Sequence, residues 1–369
     1  MTKKPIFEKI NEGATEVLVS KGKKNPRGPG SKQGVPFYNP SMQLNRDLSV
    51  VLCQWFVNNR KKPPVFLDGL AASGIRGFRF ANEIDGDFEI TINDWNQDSF
   101  NLINKNIEKS KKKNIQACNY NLNTLLSQNK YDYIDIDPFG SPVYFIDSAV
   151  KSIKNKGVIA CTATDTATLC GVYPNVCWRR YSAAPFHSVV MKEVGLRILL
   201  GFLCRAAGVY DKAIEPLVCY CTDHYFRVYV RVTNGVSKAN KSMSNLKTIK
   251  SGENLGFEQT NKDIGPLWTD KLQNKKVISQ LITILFGKNL GTKKELWKLL
   301  DLLEEEADAP MFFYTTDSLA SFFKTSPLKR KALFDKIKKE KYDVFQIHFS
   351  PTGFKTNAPL KTIEKAFKQ

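Results

Sequence analysis

The sequence lacks any long uninterrupted apolar segment. The best candidate, Val194 to Cys204, is interrupted by Arg197, whereas a helix that crosses a bilayer needs about 18 apolar residues or more. The first residues, Met1 to Pro5, are not followed by the apolar core of a secretory signal. We therefore expect a soluble protein that stays in the cytoplasm.

The sequence also lacks closely paired cysteines. Its eight cysteines are irregularly spaced, and none of them forms a CxxC pair. A zinc site or a disulfide framework needs closer, paired spacing. The pattern therefore favours small buried thiols in a reducing compartment, and we expect no bound metal.

Acidic residues are few compared with basic ones. The chain has 36 Asp and Glu against 55 Lys and Arg, a net charge of +19. Such an excess favours a polyanionic partner, of which nucleic acid is the leading candidate. Residues 236–369 hold 24 cations and 15 anions, which leaves +10 of the net charge on residues 1–235. We expect both halves to face the anion.

The apolar residues that are present predict an α/β fold. With 369 residues, of which 42% are apolar, the chain can bury a core and form about two domains. From Val65 onward, short apolar runs alternate with amphipathic stretches, which is typical of βα units in a largely parallel sheet. The predicted strands are Pro64–Leu67, Phe88–Ile92, Tyr131–Ile136 and Gly157–Thr162, with helices at Ile75–Ile84, Gln97–Lys111 and Ser188–Ala207. A β-hairpin of Ile214–Cys221 and Tyr225–Val232, joined at Thr222-Asp223, is predicted to close the sheet.

A polar stretch from Val236 to Lys262 predicts a junction between two domains. We place the first domain at residues 1–250 and a smaller α+β domain at residues 251–369. The second domain is predicted to contain helices at Leu272–Leu285, Lys293–Glu306 and Leu328–Lys339, and strands at Phe312–Tyr314 and Val344–Phe349.

Two stretches concentrate the positive charge. Residues 21–35 hold five cations, two prolines and several glycines without an acid, which is typical of a mobile loop that is either a solvated linker or a phosphate contact. In the second domain, eight cations face only two acids, so they will bind phosphates or remain solvated. These cations are Lys324, Lys329, Arg330, Lys331, Lys336, Lys338, Lys339 and Lys341.

Two strand ends predict a nucleoside site. The first strand runs into the turn Asp68–Gly77, where glycines let a ligand approach the backbone and the next helix offers free amides. The strict GxGxxG spacing is absent, so this turn alone is weak evidence. The second strand ends in Asn93-Asp94, 26 residues after Asp68, where a carboxylate could accept both ribose hydroxyls. The predicted cofactor contacts here are Asp68, Gly69, Ser73, Gly74, Arg76 and Asp94.

The strand Tyr131–Ile136 is followed by Asp137, Pro138 and Phe139. This order resembles the motif of methyltransferases that act on exocyclic amines of bases. The lone pair of such an amine is delocalised into the ring, so attack on a methyl group builds positive charge on nitrogen. The Asp137 carboxylate and the Pro138 carbonyl could accept its N–H groups, and the carboxylate then takes the proton. Phe139 would stack on the base.

A further set of candidate site residues lies upstream, in the segment Pro36–Asp47. Phe37 and Tyr38, two aromatics before the Asn39-Pro40 step, could wall a base pocket, although simple packing is an equally good interpretation of both. Asn39 is a further candidate substrate contact. Arg46 could bind the carboxylate of the cofactor's methionine end with two parallel hydrogen bonds.

Taken together, these segments resemble one family, the archaeal tRNA guanine-26 N2-dimethyltransferases. The resemblance covers almost the whole chain. It is carried by FYNPSMQLNRDLSV, FLDGLAASGIRGFRFA, Asn93-Asp94, DIDPFGSP, TDTATLCGVYPNVCWRRY, GPLW at 265–268 and HFSPTGFKTNAP at 348–359.

The resemblance implies a Rossmann-like class I methyltransferase sheet that ends in an antiparallel hairpin, with a smaller tRNA-binding α+β domain. It implies that Asp137 accepts the proton, that Phe37 and Phe139 sandwich the guanine, and that S-adenosylmethionine supplies two methyl groups in succession. By the same resemblance, Arg46, Asp68 and Asp94 hold the cofactor, and Asn121 stands where relatives place an Asp for the adenine amino group. Some relatives have a four-cysteine zinc site, but no cysteine follows Cys221 here. We expect tRNA as the partner and a monomer.

Two alternatives remain open from the residues themselves. The pocket motif also suits another exocyclic amine, such as guanine N2 elsewhere in RNA or adenine N6 in DNA. A non-catalytic RNA-binding protein with a vestigial cofactor fold would carry the same basic surface, but it would have no need for acidic residues at three successive strand ends.

Overall fold

A computed structural model describes residues 7–20, 36–222 and 224–368. The predicted basic loop at 21–35 and the turn residue Asp223 lie outside the described residues. Within those ranges, no helix has the length and apolar character needed to cross a membrane.

The first part of the chain contains nine strands and nine helices among the described residues. The strands are β1 (Phe7–Glu12), β2 (Thr15–Ser20), β3 (Val65–Asp68), β4 (Glu89–Asn93), β5 (Ile115–Cys118), β6 (Tyr131–Ile136), β7 (Ile153–Ala163), β8 (Lys212–Cys221) and β9 (Phe226–Asn234). The helices are α1 (Gln43–Asn58), α2 (Ile75–Glu83), α3 (Gln97–Lys109), α4 (Leu122–Gln128), α5 (Val143–Ser152), α6 (Thr166–Leu169), α7 (Pro174–Tyr181), α8 (Met191–Gly208) and α9 (Val236–Met243).

Seven of these strands form one sheet in the order β5-β4-β3-β6-β7-β9-β8. The pairs from β5 to β7 are parallel, and β9 is antiparallel to both β7 and β8. This topology confirms the predicted Rossmann-like methyltransferase sheet with a terminal antiparallel hairpin. The strand order reverses between β3 and β6, and ligands of such sheets bind in the crevice outside the carboxyl ends at that point. We call this side of the sheet the carboxyl edge.

Close packing holds helix α2 against the sheet. A Cβ on Gly77 of α2 would lie only 2.5 Å from Cγ1 of Ile92 on β4, so glycine lets the helix approach. On the same face, Phe66 and Phe88 stack with ring centroids 5.2 Å apart, and Tyr133 meets Phe66 edge to face. These contacts fix the position of the turn between β3 and α2.

The second part of the chain also mixes strands and helices, as predicted. Its strands are β10 (Leu246–Ile249), β11 (Asn254–Leu255), β12 (Glu258–Gln259), β13 (Ile264–Trp268), β14 (Tyr314–Thr315), β15 (Val344–Gln346) and β16 (Gly353–Thr356). Its helices are α10 (Lys275–Phe286), α11 (Lys293–Glu305), α12 (Thr316–Phe323), α13 (Arg330–Lys339) and α14 (Leu360–Lys368). Strands β14, β16 and β15 form a small antiparallel sheet.

Helices α10 and α11 share a hydrophobic core with the large sheet. Leu281 and Leu300 are fully buried in the same cluster as Val51 of α1 and Phe66 of β3. A separate cluster, which includes Leu333, Phe354 and Ile363, lies farther along the chain. The proposed division at residue 250 stays a prediction. Helices α10 and α11 lie beyond that residue and pack into the core of the large sheet.

The end of the chain contacts the carboxyl edge. Lys355 of β16 donates to Oε1 of Glu193 in the first turn of α8, over 3.0 Å, and both side chains are buried. The backbone N–H of Cys221, at the end of β8, donates to Nε2 of His348 over 3.3 Å. These contacts bring the small sheet to the side of the molecule where the parallel strands end.

Candidate active site

The turn after β3 is tied to both neighbouring strands. The Gly69 N–H donates to the Asp135 carbonyl over 3.0 Å, and the Ala71 N–H donates to the Asn93 carbonyl over 2.9 Å. A Cβ on Gly69 would lie 2.9 Å from the Leu122 side chain and 3.0 Å from the Asp135 carbonyl, so only glycine fits. Gly74 has φ of 78°, in the left-handed region that glycine adopts without strain.

Two predicted cofactor residues of this turn have different environments. Asp68 is buried, and its Oδ2 accepts the Gly77 N–H over 3.0 Å, which ties the strand end to α2. Burial raises the pKa of Asp68 to about 7 despite the nearby Arg76. Ser73 is also buried, and among the described residues its Oγ has no hydrogen-bond partner. A buried hydroxyl of this kind needs a partner, which a ligand can provide.

Asp94 lies at the end of β4, as predicted. Its Oδ2 accepts the Ala72 N–H over 2.7 Å and its Oδ1 accepts the Asn96 N–H over 2.9 Å. Burial raises the pKa of Asp94, whereas these two backbone donors act in the opposite direction. Each oxygen keeps a further lone pair, so the carboxylate can still accept two hydroxyl groups.

Asn121 is exposed and caps the amino terminus of α4. Its Oδ1 accepts the Asn123 N–H over 3.0 Å. An amide oxygen has two lone pairs, so Asn121 can accept one more donor at the carboxyl end of β5.

Asp137 follows β6 and forms an ion pair with Arg76. The contact joins Arg76 Nη2 to Asp137 Oδ2. Nη1 of the same arginine donates to Asn45 Oδ1 over 2.9 Å and to Ser49 Oγ over 2.7 Å, both on α1. Sequence reasoning assigned Arg76 to the cofactor, but in the structure its terminal nitrogens bind these protein groups. Arg76 therefore orients the Asp137 carboxylate, and 20% of the Asp137 side chain remains exposed.

A second ion pair lies beneath the first. Asp135 and Arg227 are fully buried, with Nη1 to Oδ1 at 3.0 Å and Nη2 to Oδ2 at 2.6 Å. Arg76 Nε lies 3.5 Å from Asp135 Oδ1 and links the two pairs. Although burial opposes ionisation, Arg227 and Arg76 hold the pKa of Asp135 below its ordinary value. The sequence predictions missed the ion pair of Asp135 with Arg227. The available signal was Asp135 itself, an acid between two isoleucines in a buried strand.

Arg46 also binds a carboxylate with two hydrogen bonds, but the carboxylate belongs to Glu12. Nε and Nη2 of Arg46 each donate to Glu12 over 2.6 Å, and Nη2 also donates to the Asn39 carbonyl over 3.0 Å. Tyr38 donates to the same glutamate over 2.9 Å. The hairpin of β1 and β2 therefore supplies the partner that we had assigned to the cofactor, and the role of Arg46 toward a cofactor stays a prediction.

The predicted base-pocket residues lie near one another. The rings of Phe37 and Phe139 meet edge to face with centroids 5.2 Å apart, and Phe139 is 48% exposed. Asn39 uses its Oδ1 to accept the Ser41 N–H over 3.0 Å, which caps a short 3₁₀-helix. Among the described residues, no hydrogen bond reaches the Pro138 carbonyl, so it can accept one from a ligand.

Other features of the described residues do not suggest a competing site. A cavity of about 860 Å³ lies beside Ala213 and Pro216, near the start of β8 and away from the carboxyl edge. In the ranges that the structure describes, no group of three or more His, Cys, Asp or Glu side chains could hold a metal ion. The polar groups at the carboxyl edge suit a nucleoside, because Asp94 can accept ribose hydroxyls and the buried Ser73 hydroxyl has no partner among the described residues.

Comparisons with known proteins agree with this geometry. Residues 13–368 match the family model described as N2,N2-dimethylguanosine tRNA methyltransferase. A tRNA (guanine(26)-N(2))-dimethyltransferase of Pyrococcus furiosus is 37% identical over 99% of this chain and 99% of that protein. The corresponding protein of Methanobrevibacter smithii is 34% identical over 97% of this chain and 96% of its own length. The structure of Trm1 from Pyrococcus horikoshii with S-adenosyl-L-methionine has a TM-score of 0.87 and 33% identity, covering 98% of this chain and 100% of that one.

Proposed function

The chain belongs to the N2,N2-dimethylguanosine tRNA methyltransferase family, and on that basis we propose that it methylates guanosine 26 of tRNA. It is an S-adenosylmethionine-dependent enzyme that transfers two methyl groups in succession to the exocyclic N2 of this guanosine. The structural observation that supports this most strongly is the oriented, partly exposed Asp137 at the carboxyl edge. A net charge of +19 suits a tRNA substrate.

We propose that Asp137 accepts the proton of the base amine. S-adenosylmethionine, when bound, supplies a methyl group that its sulfonium already activates. Asp137 accepts one N–H of the amine, stabilises the charge that develops on nitrogen, and takes the proton as the new N–C bond forms. A second methyl transfer requires Asp137 to lose this proton first, and its partial exposure allows transfer to water.

We propose that the cofactor lies along the turn after β3. Gly69 and Gly74 let the turn pack closely against Leu122 and Phe78, which fixes its course. Ser73 offers a buried hydroxyl that has no partner among the described residues, and Asp94 can accept the ribose hydroxyls. Asn121 can accept from the adenine amino group. Asp68 and Arg76 support this site indirectly, because Asp68 accepts the Gly77 N–H of α2 and Arg76 pairs with Asp137. A direct contact of Arg46 with the cofactor stays a prediction, because Arg46 binds Glu12 here.

We propose that guanine enters between Phe37 and Phe139 once it leaves the tRNA stack. The two rings would separate from their edge-to-face contact to stack on the base. Asn39 shapes the entrance, and the Pro138 carbonyl accepts the second N–H. The enzyme is proposed to act as a monomer in the cytoplasm.

The test replaces the proposed proton acceptor. Asp137→Asn keeps the size of the side chain, and we expect methyl transfer to fall by about 10³-fold or more, with tRNA affinity within a few-fold. The matched control is Asp132→Asn, at the opposite end of β6, where the carboxylate accepts the Val65 N–H over 3.0 Å. That variant should retain methyl transfer.

Product analysis identifies the base. Nucleosides from a tRNA transcript treated with the wild-type protein should contain N2,N2-dimethylguanosine, and a transcript with adenine at position 26 should yield none. N2-methylated guanosine from the adenine-26 transcript would indicate another guanine. N6-methyladenosine would indicate an adenine methyltransferase, and no methylation of either transcript would leave only RNA binding.

A further inference from the structure

Large exposed aromatic side chains concentrate at the carboxyl edge. Among the described residues there are nine, and three of them, Phe286, Trp297 and Phe322, belong to helices of the second part of the chain. The other six follow the ends of strands β4 to β7: Trp95, Tyr120, Phe139, Tyr144, Tyr173 and Trp178. Exposed apolar surface of this kind marks a binding site.

Two of these residues belong to a segment that the proposed chemistry does not use. Tyr173, immediately before α7, is 56% exposed, and Trp178, in the middle of α7, is 60% exposed. Arg179 is exposed next to Trp178, whereas Cys177 and Tyr181 are buried and anchor the helix. The helix therefore presents aromatic rings and a cation to solvent from a fixed base.

This helix is hydrogen-bonded to the loop that carries Asp137 and Phe139. The Gly140 N–H donates to Thr164 Oγ1 over 2.7 Å, and the Thr164 N–H donates back to the Gly140 carbonyl over 2.9 Å. Ser141 Oγ and the Tyr181 hydroxyl are 2.9 Å apart, and that hydroxyl donates to Asp165 Oδ1 over 2.8 Å. These hydrogen bonds hold α7 and the segment before it against the loop that carries Asp137 and Phe139.

We propose that Tyr173, Trp178 and Arg179 bind the tRNA nucleotides next to guanosine 26. The aromatic rings stack on neighbouring bases, and the arginine neutralises a backbone phosphate. Extruding guanosine 26 leaves adjacent bases without a stacking partner, and aromatic side chains stack on any base because every base has a flat face. An exposed arginine complements the phosphate backbone in charge. This inference rests on the proposed function and adds the residues that hold the strand around the target.

The first experiment measures tRNA binding by purified full-length variants. We expect Trp178→Ala and Tyr173→Ala each to weaken tRNA affinity by about tenfold, because each removes a stacking surface. Affinity for S-adenosylmethionine should stay within twofold, which also shows that the variants are folded. Trp178→Phe keeps an aromatic ring and should restore most of the tRNA affinity.

The matched control is Trp297→Ala. Trp297 is 41% exposed on α11, outside the set of residues that follow the sheet strands. Its loss should leave tRNA affinity unchanged. An equal loss in this variant, or no loss in Trp178→Ala, would overturn the proposal.

A second experiment removes the base instead of the ring. Transcripts with an abasic nucleotide at position 25 or 27 are bound to the wild-type protein and to Trp178→Ala. If Trp178 stacks on one of these bases, the two changes are not additive, since either one removes the same contact. Fully additive losses at both positions would contradict stacking there. If Trp178→Ala changed self-association but not tRNA binding, the surface would be a protein interface.

Failure of this inference is distinguishable from failure of the proposed function. If the wild-type protein forms no N2,N2-dimethylguanosine, the proposed function fails. If it does so and Trp178→Ala binds tRNA normally, only the assignment of α7 fails.

Discussion

At the scale of single residues, the position of Asp137 follows from sequence, but its support does not. A buried strand followed by Asp137, Pro138 and Phe139 places these side chains at the carboxyl edge in any parallel sheet. The ion-pair partner of Asp137 could not be predicted in the same way. It is set by which side of α2 faces β6, and the sequence does not give that orientation. Arg76 follows the first glycine turn and so resembled a cofactor contact, but its guanidinium reaches across the sheet to Asp137.

Arg76→Lys tests this positioning role. Lysine keeps the positive charge but has no planar guanidinium, so it cannot contact Asp137, Asn45 and Ser49 together. We expect kcat to fall by about tenfold or more, while the Kd of S-adenosylmethionine stays within about threefold. Steady-state kinetics at saturating substrates and calorimetric binding measure the two quantities.

The matched control is Arg60→Lys. Arg60 lies at the other end of the sheet, where its Nη2 donates to the Lys156 carbonyl over 2.6 Å. It should leave kcat unchanged. If Arg76→Lys instead loses cofactor affinity and keeps kcat, Arg76 belongs to the cofactor site, as the sequence first indicated.

At the scale of elements, the sequence predicts the central parallel strands well, and the edge strand and the supporting hairpin poorly. Strand β6 matches its predicted bounds, and α2 ends within one residue of them. The edge strand β5 was missed, because Ile115–Cys118 is short and only partly buried. The hairpin of β1 and β2 was missed as well; its role depends on Glu12 meeting Arg46, a contact between distant parts of the chain.

Glu12→Gln tests what this hairpin contributes. Glu12 is buried between Arg46 and Arg79, with contacts of 2.6 and 2.9 Å. Removing its charge leaves two buried cations with weaker partners, so we expect a loss of about 3 kcal/mol in the free energy of unfolding. Glu16→Gln on the same hairpin breaks only an exposed pair with Lys9 and should cost less than about 1 kcal/mol.

The loss of unfolding free energy caused by Glu12→Gln should be larger at neutral pH than at acidic pH. Burial opposes the charge of Glu12, but Arg46 and Arg79 hold its pKa below the ordinary value of 4.5. A lowered pKa stabilises the folded state above the unfolded-state pKa, and this contribution is lost as pH falls through the folded-state pKa. Urea unfolding should therefore show the full cost of Glu12→Gln at pH 7 and a smaller cost below about pH 4. If the loss caused by Glu12→Gln were the same at both pH values, the charge of Glu12 would not be what stabilises the hairpin.

At the scale of the whole molecule, sequence patterns locate helices but not the surfaces they cover. The polar stretch after Val236 suggested a boundary near residue 250, but α10 and α11 return to pack on α1. Trp55 of α1 donates to Gln280 over 2.5 Å, and Asp47 accepts from the Thr292 N–H over 2.8 Å. Hydrophobic periodicity shows that a helix has an apolar face. It does not show which other element packs against that face, because this depends on the fold of the complete chain.

The positive charge of the C-terminal region gives a prediction at this scale. Arg330 of α13 donates to the Pro351 carbonyl over 2.7 Å, in the loop that also carries His348, and His348 contacts the end of β8. Helix α13 is thus connected to the carboxyl edge. Lys331, Lys338 and Lys339 are exposed on it, whereas Lys336 donates to the Ala366 carbonyl over 3.0 Å and is omitted from the test.

Replacing Lys331, Lys338 and Lys339 by alanine should make tRNA binding less sensitive to salt. Each phosphate contact releases counterions, so the slope of log affinity against log salt should become shallower by about 2. The control replaces Lys111, Lys112 and Lys113, three exposed lysines between α3 and β5, at the opposite edge of the sheet. Both variants lose three charges, so equal slopes would mean that only net charge matters. A change confined to the α13 variant would support phosphate contacts made by this helix, on the side of the molecule where the base is methylated.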